Sequence, residues 1–381
     1  MNIQEELKIN GNFPSFPMGG FNLPGSPKYN TPVTPLANIE LALKRDASGA
    51  LKGEQLWAPL GGDAVMFCPV IMPDNIARAF VIEAGSDPKY NSSGGKDFFG
   101  VEWEYVPSAG GSMVRPGSEP LIPKVYDEDW DMDLSDFAHW ENYVKFPDLS
   151  QYDWAGNAEK NKDLLAAKER GVMPWVLTGL FERLISFVEF ENAAVALKNE
   201  DQQPHVHRLF DKLADFYDEL FGYYQKYYDA KLFYFHDDWG SQRSPFFSPD
   251  TVREMIAPYL KRVCDSAHKR GQYIILHSCG KIEPLVPVMV ECGVDVWSGQ
   301  PMNDRLQVLK DNRGKIYVEF GPDVGGFGGP PKTPEEQKAI IDEWLDTFGE
   351  YIDSIFVNTS FGGSELLYKT IYEYSRKKFA K

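Results

Sequence analysis

The chain has 381 residues, of which 43% are hydrophobic and 25% charged, as is ordinary for a soluble globular protein. Its formal net charge of −17 argues against nucleic acid as a partner, because phosphate binding requires a basic surface. There is no apolar run of roughly 18 residues to span a membrane, no secretory signal and no disulfide-like cysteine spacing, so we expect a cytoplasmic protein.

The N-terminal segment is rich in Pro, Gly and Asn and lacks a regular period up to about residue 35, which predicts an irregular arm. A helix is predicted after Thr34, because Pro35 suits a first helical turn. Arm and helix together are expected to occupy residues 1–60.

Two early strands and an insertion follow in the predicted order. The apolar run at 63–71 predicts the first strand, and the alternating pattern FGVEWEYV at 99–106 predicts a second, half-buried one. Residues 107–160 are acidic and loop-like, so we interpret them as an insertion between early strands of the fold.

The C-terminal two-thirds of the chain alternates short apolar runs with longer helical patterns. Helix starts are indicated before Thr251 and at 333–336, and helix ends at Gly271 and Gly293. The predicted strands are 172–178, 231–237, 272–278, 294–298, 315–321 and 354–358. The predicted helices lie near 181–199, 205–228, 249–270, 281–292, 303–311, 333–348 and 364–379.

This alternation predicts parallel strands joined by helical crossovers. Six strand–helix units and the two early strands make eight strands, which predicts one TIM-type (β/α)8 barrel domain over residues 1–381. The alternative is an open doubly wound sheet, which is disfavoured because no glycine fingerprint follows the first strand.

Reactive groups of such a barrel belong at the C-terminal strand ends, where ILHSCG places His277 and Cys279. Positions i and i+2 of a strand share a face, so these two side chains can converge on one ion. Imidazole and thiolate together favour zinc over magnesium or calcium. The alternative is a buried His and a buried Cys without a metal.

A catalytic zinc needs about three protein ligands, and no other cysteine lies at a suitable strand end. The third ligand is therefore expected to be a carboxylate, and Glu182 is our first candidate as ligand and catalytic group. Asp237 and Asp238 are further catalytic candidates; because strand neighbours face opposite ways, one can act while the other braces the loop. We expect Asp237 to face inward. The carboxylates considered are Glu182, Asp237, Asp238, Glu319 and Asp323.

Aromatic and amide side chains at or beyond the strand ends are candidates for binding a flat substrate. We select Trp239, Trp297, Phe361 and Gln300. The alternative for the rings is packing in the core.

The motifs HDDWGSQ, ILHSCG, VDVWS and GPDVGG together resemble the uroporphyrinogen decarboxylase-like superfamily over about residues 31–375. Within it, the chain is more similar to the corrinoid-dependent methyltransferases, whose His-x-Cys motif and a later Cys bind zinc. His277 and Cys279 match that motif, but the last strand and its loop at 355–365 contain no cysteine. The segment 55–68 also lacks the arginines with which the decarboxylase branch holds its substrate.

The resemblance therefore implies a zinc-dependent O-demethylating methyltransferase. It would move a methyl group from a small aromatic methyl ether to the cobalt of a corrinoid (cobalamin) carried by a separate protein. The alternatives are methyl transfer from a methylated corrinoid to a thiol, a metal-free decarboxylase, and a non-enzymatic binding barrel. A homodimer is left open.

Overall fold

The computed structural model describes residues 2–14, 16–18, 21–23, 25–69, 94–106, 111–325, 332–358 and 364–380. Its centre is a curled parallel sheet of seven strands, in which strands that follow one another in the chain lie side by side. The strands are β1 Ala64–Phe67, β2 Gly171–Val176, β3 Leu232–His236, β4 Tyr273–Ser278, β5 Val296–Gly299, β6 Tyr317–Phe320 and β7 Ile355–Val357. This arrangement is consistent with a TIM-like fold.

Among the described residues the sheet does not close into an eight-stranded barrel. Between its two edge strands the described residues form one isolated parallel bridge, from Leu60 to Val357. The predicted strand at 99–106 is not part of the barrel: Glu102–Val106 pairs antiparallel with Gly94–Lys96 and Gly111–Val114 in a separate sheet. Its alternation of apolar and polar residues is equally typical of an antiparallel strand with one exposed face.

Helices connect the parallel strands as the sequence predicts. With the helices that precede and follow the sheet in the chain, they are α1 Pro35–Leu43, α2 Leu180–Val188, α3 Phe190–Ala196, α4 Gln203–Tyr228, α5 Pro249–Met255, α6 Ala257–Lys269, α7 Val286–Cys292, α8 Arg305–Asn312, α9 Pro334–Phe348 and α10 Glu365–Phe379. Outside this set, the described residues form α-helices at Ile3–Glu6, Trp140–Tyr143, Trp154–Lys160 and Lys162–Leu165. No helix in the described part of the chain is long and apolar enough to cross a membrane.

The local signals at helix ends act as expected. The Ser248 hydroxyl caps α5 by accepting from the amide of Thr251, and Thr333 and Glu336 form a reciprocal capping box on α9. Gly271 and Gly293 follow α6 and α7 with φ of +67° and +86°, which a side chain would strain.

The N-terminal arm is more regular than the sequence predicts. Ile9–Phe13 pairs antiparallel with Ser26–Tyr29, and the shorter Phe16–Met18 pairs with Phe21–Leu23. The predicted insertion contains a two-stranded antiparallel sheet, Lys124–Asp127 with Met132–Ser135.

Side chains of the parallel sheet divide between two packed layers. One face of each strand turns into the barrel, where Trp175, Tyr234, Ile275, Val296 and Tyr317 pack together. The opposite face packs against the surrounding helices in a larger cluster. Side chains alternate between the two faces along a strand. Every second residue of β3 and β4 therefore faces the barrel interior, and this alternation extends to the residues just after their C-terminal ends.

Candidate metal centre

Four potential metal ligands meet at the C-terminal ends of β3 and β4. His236 and Asp238 follow each other at i and i+2 on one strand, and His277 and Cys279 do so on the next. His236 and His277 are register partners in the parallel pair. One ligand atom from each of the four residues lies within 4.8 Å of all the others.

The distances between the ligand atoms of this cluster are close to those between ligand atoms around a bound zinc ion. The Cys279 Sγ lies 3.5 Å from His277 Nε2, and His236 Nε2 lies 3.9 Å from an Asp238 carboxylate oxygen. The two imidazole rings stack with their centroids 4.7 Å apart. Ligand atoms of a tetrahedral zinc are about 3.3–3.8 Å apart, so small side-chain movements suffice for coordination.

Each histidine is oriented through the ring nitrogen that faces away from the cluster. His236 Nδ1 lies 2.7 Å from a Glu182 carboxylate oxygen. His277 Nδ1 lies 3.1 Å from the Tyr234 hydroxyl and 3.3 Å from the Ser298 hydroxyl. Both Nε2 atoms are thereby directed to the common centre, as in proteins whose zinc-binding histidines donate their second N–H to an oxygen.

The remaining two ligands are held by backbone and amide contacts. The Asp238 carboxylate accepts a hydrogen bond of 2.6 Å from the backbone amide of Cys279. Gln300 accepts from the amide of Gly280 and points its Nε2 at the Cys279 sulfur, 3.2 Å away. These contacts fix both side chains on the same side of the strand ends.

Burial and mutual charge set the protonation of the cluster. Burial and the neighbouring His236 lower the pKa of His277 to about 3, so His277 is neutral and can act as a ligand. Burial opposes the charge on His236, but Glu182, Cys279 and Asp238 outweigh it and raise the pKa of His236 well above its usual range. Burial raises the pKa of Cys279, so its thiolate requires a cation for stability.

Asp237 is not directed to this centre, contrary to our expectation of an inward-facing side chain. Its buried carboxylate accepts from the backbone amides of Leu180, Phe181 and Glu182 and from the indole of Trp239. It therefore caps the N-terminus of α2, while Asp238 joins the cluster. The reason is the phase of β3: Tyr234 and His236 face inward, so position 238 does too.

The other proposed carboxylates lie outside the group of four. Glu182 contacts His236 instead of the centre, and burial raises the pKa of Glu182 to about 7. Glu319 is buried in the sheet interior, where burial raises its pKa to about 7. Asp323 is exposed and binds the amide of Gly325. The geometry thus favours Asp238 over Glu182 as the carboxylate ligand.

The predicted substrate-binding residues have different surroundings. Trp239 and Trp297 are fully buried in the core around the sheet, because their strand positions face the helices and not the barrel. Gln300 lies beside Cys279, as described. Phe361 lies outside the described residues.

His236 is the member of the cluster that our sequence interpretation did not select as a ligand. The signal was present: His-x-Asp at 236–238 repeats the i, i+2 spacing of His-x-Cys at 277–279 on the next strand. Two such pairs at neighbouring strand ends predict four convergent ligands. Two imidazoles, one thiolate and one carboxylate fit zinc, which accepts nitrogen, sulfur and oxygen ligands in one tetrahedral site.

Comparison with known protein families gives one match. Residues 186–320 match the model of the family described as uroporphyrinogen decarboxylase (URO-D). These residues include both halves of the four-residue cluster and strands β3 to β6. The match supports placement in the uroporphyrinogen decarboxylase-like superfamily and suggests an enzyme. No curated protein matches the chain significantly.

Several solved structures are distantly similar to this chain. The intracellular xylanase TsXylA from Thermoanaerobacterium saccharolyticum has 9% identity and a TM-score of 0.33, covering 58% of this chain and 72% of its own. The probable 3-DHS dehydratase AsbF from Bacillus anthracis has 12% identity and a TM-score of 0.26, covering 54% and 87%. These TM-scores are too low to support an argument about this chain.

Proposed function

We propose that this chain, with its similarity to the uroporphyrinogen decarboxylase-like superfamily, is a zinc-dependent methyltransferase. It would take a methyl group from a methoxylated aromatic compound and deliver it to the cobalt of a corrinoid on a separate protein. The observation that carries the proposal is the convergence of His236, Asp238, His277 and Cys279 at one point.

These four residues would hold the zinc, whose contribution would be Lewis acidity toward the ether oxygen; this requires that the oxygen take the place of one of the four ligands or add as a fifth. The methyl group leaves without its bonding electron pair, which stays on the oxygen as phenolate. Phenolate is a poor leaving group, since the pKa of a phenol is about 10, so stabilising its charge is the main catalytic need. A carboxylate ligand makes the bound metal harder than a second sulfur would, which suits an oxygen leaving group.

The surrounding side chains keep the ligands in place and supply a proton. Asp237 anchors the start of α2 and thereby positions Glu182 at His236. The carboxyl of Glu182, with a pKa of about 7, is suited to return one proton to the released phenolate. Atoms and charge then balance as aryl methyl ether, proton and reduced cobalt giving phenol and methylated cobalt.

The test combines metal analysis with a methyl-transfer assay. Purified protein should contain about one zinc per chain. With 2-methoxyphenol and a reduced corrinoid protein it should form one methyl–cobalt bond per corrinoid, seen in the visible spectrum, and release catechol. Demethylation without any corrinoid, or metal-free protein that is fully active, would contradict the proposal.

Methyl transfer to a thiol is the second candidate, because the cluster contains a cysteine and the same zinc-type donors. It predicts that a small thiol becomes bound to the metal and loses its proton at neutral pH. Proton release on adding 2-mercaptoethanesulfonate to the zinc-loaded protein, followed by methylation from methylcobalamin, would favour this candidate over the first.

A further inference from the structure

A second polar site lies between the N-terminal arm and the open side of the parallel sheet. It is a cavity of about 400 Å³ next to β1 and β7. Its apolar lining comes from Phe13, Met66, Met173 and Phe356. Among the described residues, its lining includes none of the four members of the metal centre.

Arg170 is the unusual member of this lining. Its side chain is buried, with 7% of the residue exposed, yet its Nε has no hydrogen-bond partner among the described residues. The guanidinium lies over the Phe13 ring, 4.8 Å from the centroid. Asp63 attracts it electrostatically, and the Asp63 Oδ2 already accepts hydrogen bonds from the Trp57 indole and the Leu60 amide.

A second polar group of the same cavity also lacks a partner. The hydroxyl of Tyr29 is buried and makes no hydrogen bond within the described part of the chain, although its ring stacks on Tyr368 at 4.7 Å. Lys28, the other cation of the lining, is already paired with Glu169 at 2.6 Å. One guanidinium and one phenol are thus left as donors for a ligand.

A buried guanidinium and a buried hydroxyl without hydrogen-bond partners destabilise the fold unless a ligand supplies those partners. A buried charged group without hydrogen bonds is strongly unfavourable, and folded proteins normally pair it. A carboxylate matches the planar fork of a guanidinium with two parallel hydrogen bonds and accepts one more from a hydroxyl. A phosphate dianion is disfavoured, because Asp63 and Glu319 bring further carboxyl groups to the same cavity.

We propose that this cavity binds a small organic monocarboxylate, whose carboxylate contacts Arg170 and Tyr29. Its apolar body packs against Met66, Met173 and Phe356. The volume suits a molecule of the size of a substituted benzoate. The site stands on these residues alone and does not require that the proposed methyl transfer be correct.

The cavity nevertheless extends toward the metal centre. Glu319 lines it, and Glu319 is the register partner of Ser298, which in turn is the register partner of His277. At Glu319 the lining of the cavity therefore comes within two strands of His277, on the same face of the sheet. A ligand with a second functional group can be held there by its carboxylate end.

The experiment measures binding of benzoate and hexanoate by calorimetry, with benzamide as the uncharged control. Wild-type protein should bind at least one of the acids and not benzamide. Arg170→Met should weaken that binding by about a hundredfold, since a charge-assisted pair is lost, and Tyr29→Phe by about tenfold. Zinc content should be unchanged in both variants, which separates this test from that of the metal centre.

The stability of the unliganded variants distinguishes a ligand site from a structural role. If Arg170 is held in place for a ligand, Arg170→Met removes a buried charge whose Nε lacks a hydrogen-bond partner, and the unfolding temperature should stay nearly equal or rise. A large loss of stability in Arg170→Met would contradict the proposal. So would equal binding of benzoate and benzamide, unchanged benzoate binding in both variants, or no binding of either acid at millimolar concentration.

Discussion

The metal centre and the monocarboxylate cavity are both polar sites within one parallel sheet. They differ in how many of their polar groups have hydrogen-bond partners in the protein. At the proposed metal centre each of the four candidate ligands has a further hydrogen-bond partner: Glu182 for His236, Ser298 for His277, Gln300 for Cys279, and the Cys279 backbone amide for Asp238. In the cavity, the Arg170 Nε and the Tyr29 hydroxyl have none among the described residues.

The difference indicates two kinds of binding. A completed outer network holds ligands in one geometry before the ion arrives, so little ordering remains to be done on binding. An unsatisfied buried cation instead makes the free state less stable, and the ligand itself supplies the missing hydrogen bonds. The metal centre should therefore be sensitive to single changes, whereas the cavity should tolerate them until its ligand is added.

The largest effect is expected from removing a ligand of the metal centre. His277→Ala should abolish tight zinc binding, because it removes a neutral imidazole from the middle of the cluster. Elemental analysis of protein purified without chelators checks this. As a control, His207→Ala removes a histidine that contacts Tyr259 far from the cluster and should keep its zinc. Equal zinc in both variants would contradict the assignment.

The adjacent carboxylates provide the next test. Asp238→Asn should lower zinc affinity by more than about tenfold and methyl transfer by about a hundredfold, since it alters the cluster directly. Asp237→Asn should instead cost about 1–3 kcal/mol of unfolding free energy, because it weakens the cap on α2. Urea unfolding and zinc titration of both variants measure this contrast, and the reverse pattern would refute our placement of the two side chains.

Glu319, between the two sites, should make stability depend on pH. Burial raises its pKa to about 7 from an ordinary 4.5, so the folded state retains a proton that the unfolded state has lost. Its stabilising contribution is complete below about pH 4.5 and is lost as the pH rises to about 7, by about 3 kcal/mol at most. Glu319→Gln should reduce this pH dependence in urea unfolding, whereas Glu343→Gln, at an exposed position of α9, should preserve it.

The smallest effect concerns the outer network of the metal centre. Glu182→Gln keeps the side-chain size but weakens the contact to His236 Nδ1, so zinc affinity should fall by about tenfold. Competition with a chelator of known affinity measures it. The matched change Glu191→Gln, at an exposed position of α3, should leave the affinity unchanged.

Much of the C-terminal fold could be predicted from the sequence because several signals agree there. The same boundaries are indicated by the apolar runs, by Pro35, Ser248 and Thr333 at helix starts, and by Gly271 and Gly293 at helix ends. Residues 99–106 misled the interpretation, because alternation shows a half-exposed strand without showing its partner. Strand pairing depends on residues distant in the chain.

The metal centre was only partly predictable for a related reason. His277 and Cys279 could be found because their spacing and strand end were evident. In β3 the run Leu232–Phe235 is hydrophobic at every position, so the sequence does not reveal which residues face inward. The pairing of β3 with β4 determines which residues of β3 face the barrel interior. This pairing places His236 and Asp238, and not Asp237, at the centre. Arg170 gave no sequence signal at all.

The origin of all four ligands in two consecutive strands also bears on the order of folding. Asp238 and Cys279 are separated by 41 residues, which form one strand–helix–strand segment through α5 and α6. Closing a loop of this length costs little more entropy than closing a much shorter one. The cluster can therefore assemble in a folding intermediate in which β3 has paired with β4 and the N-terminal arm has not yet docked. The cavity around Arg170 and Tyr29 joins the arm to β2 and can form only after that docking.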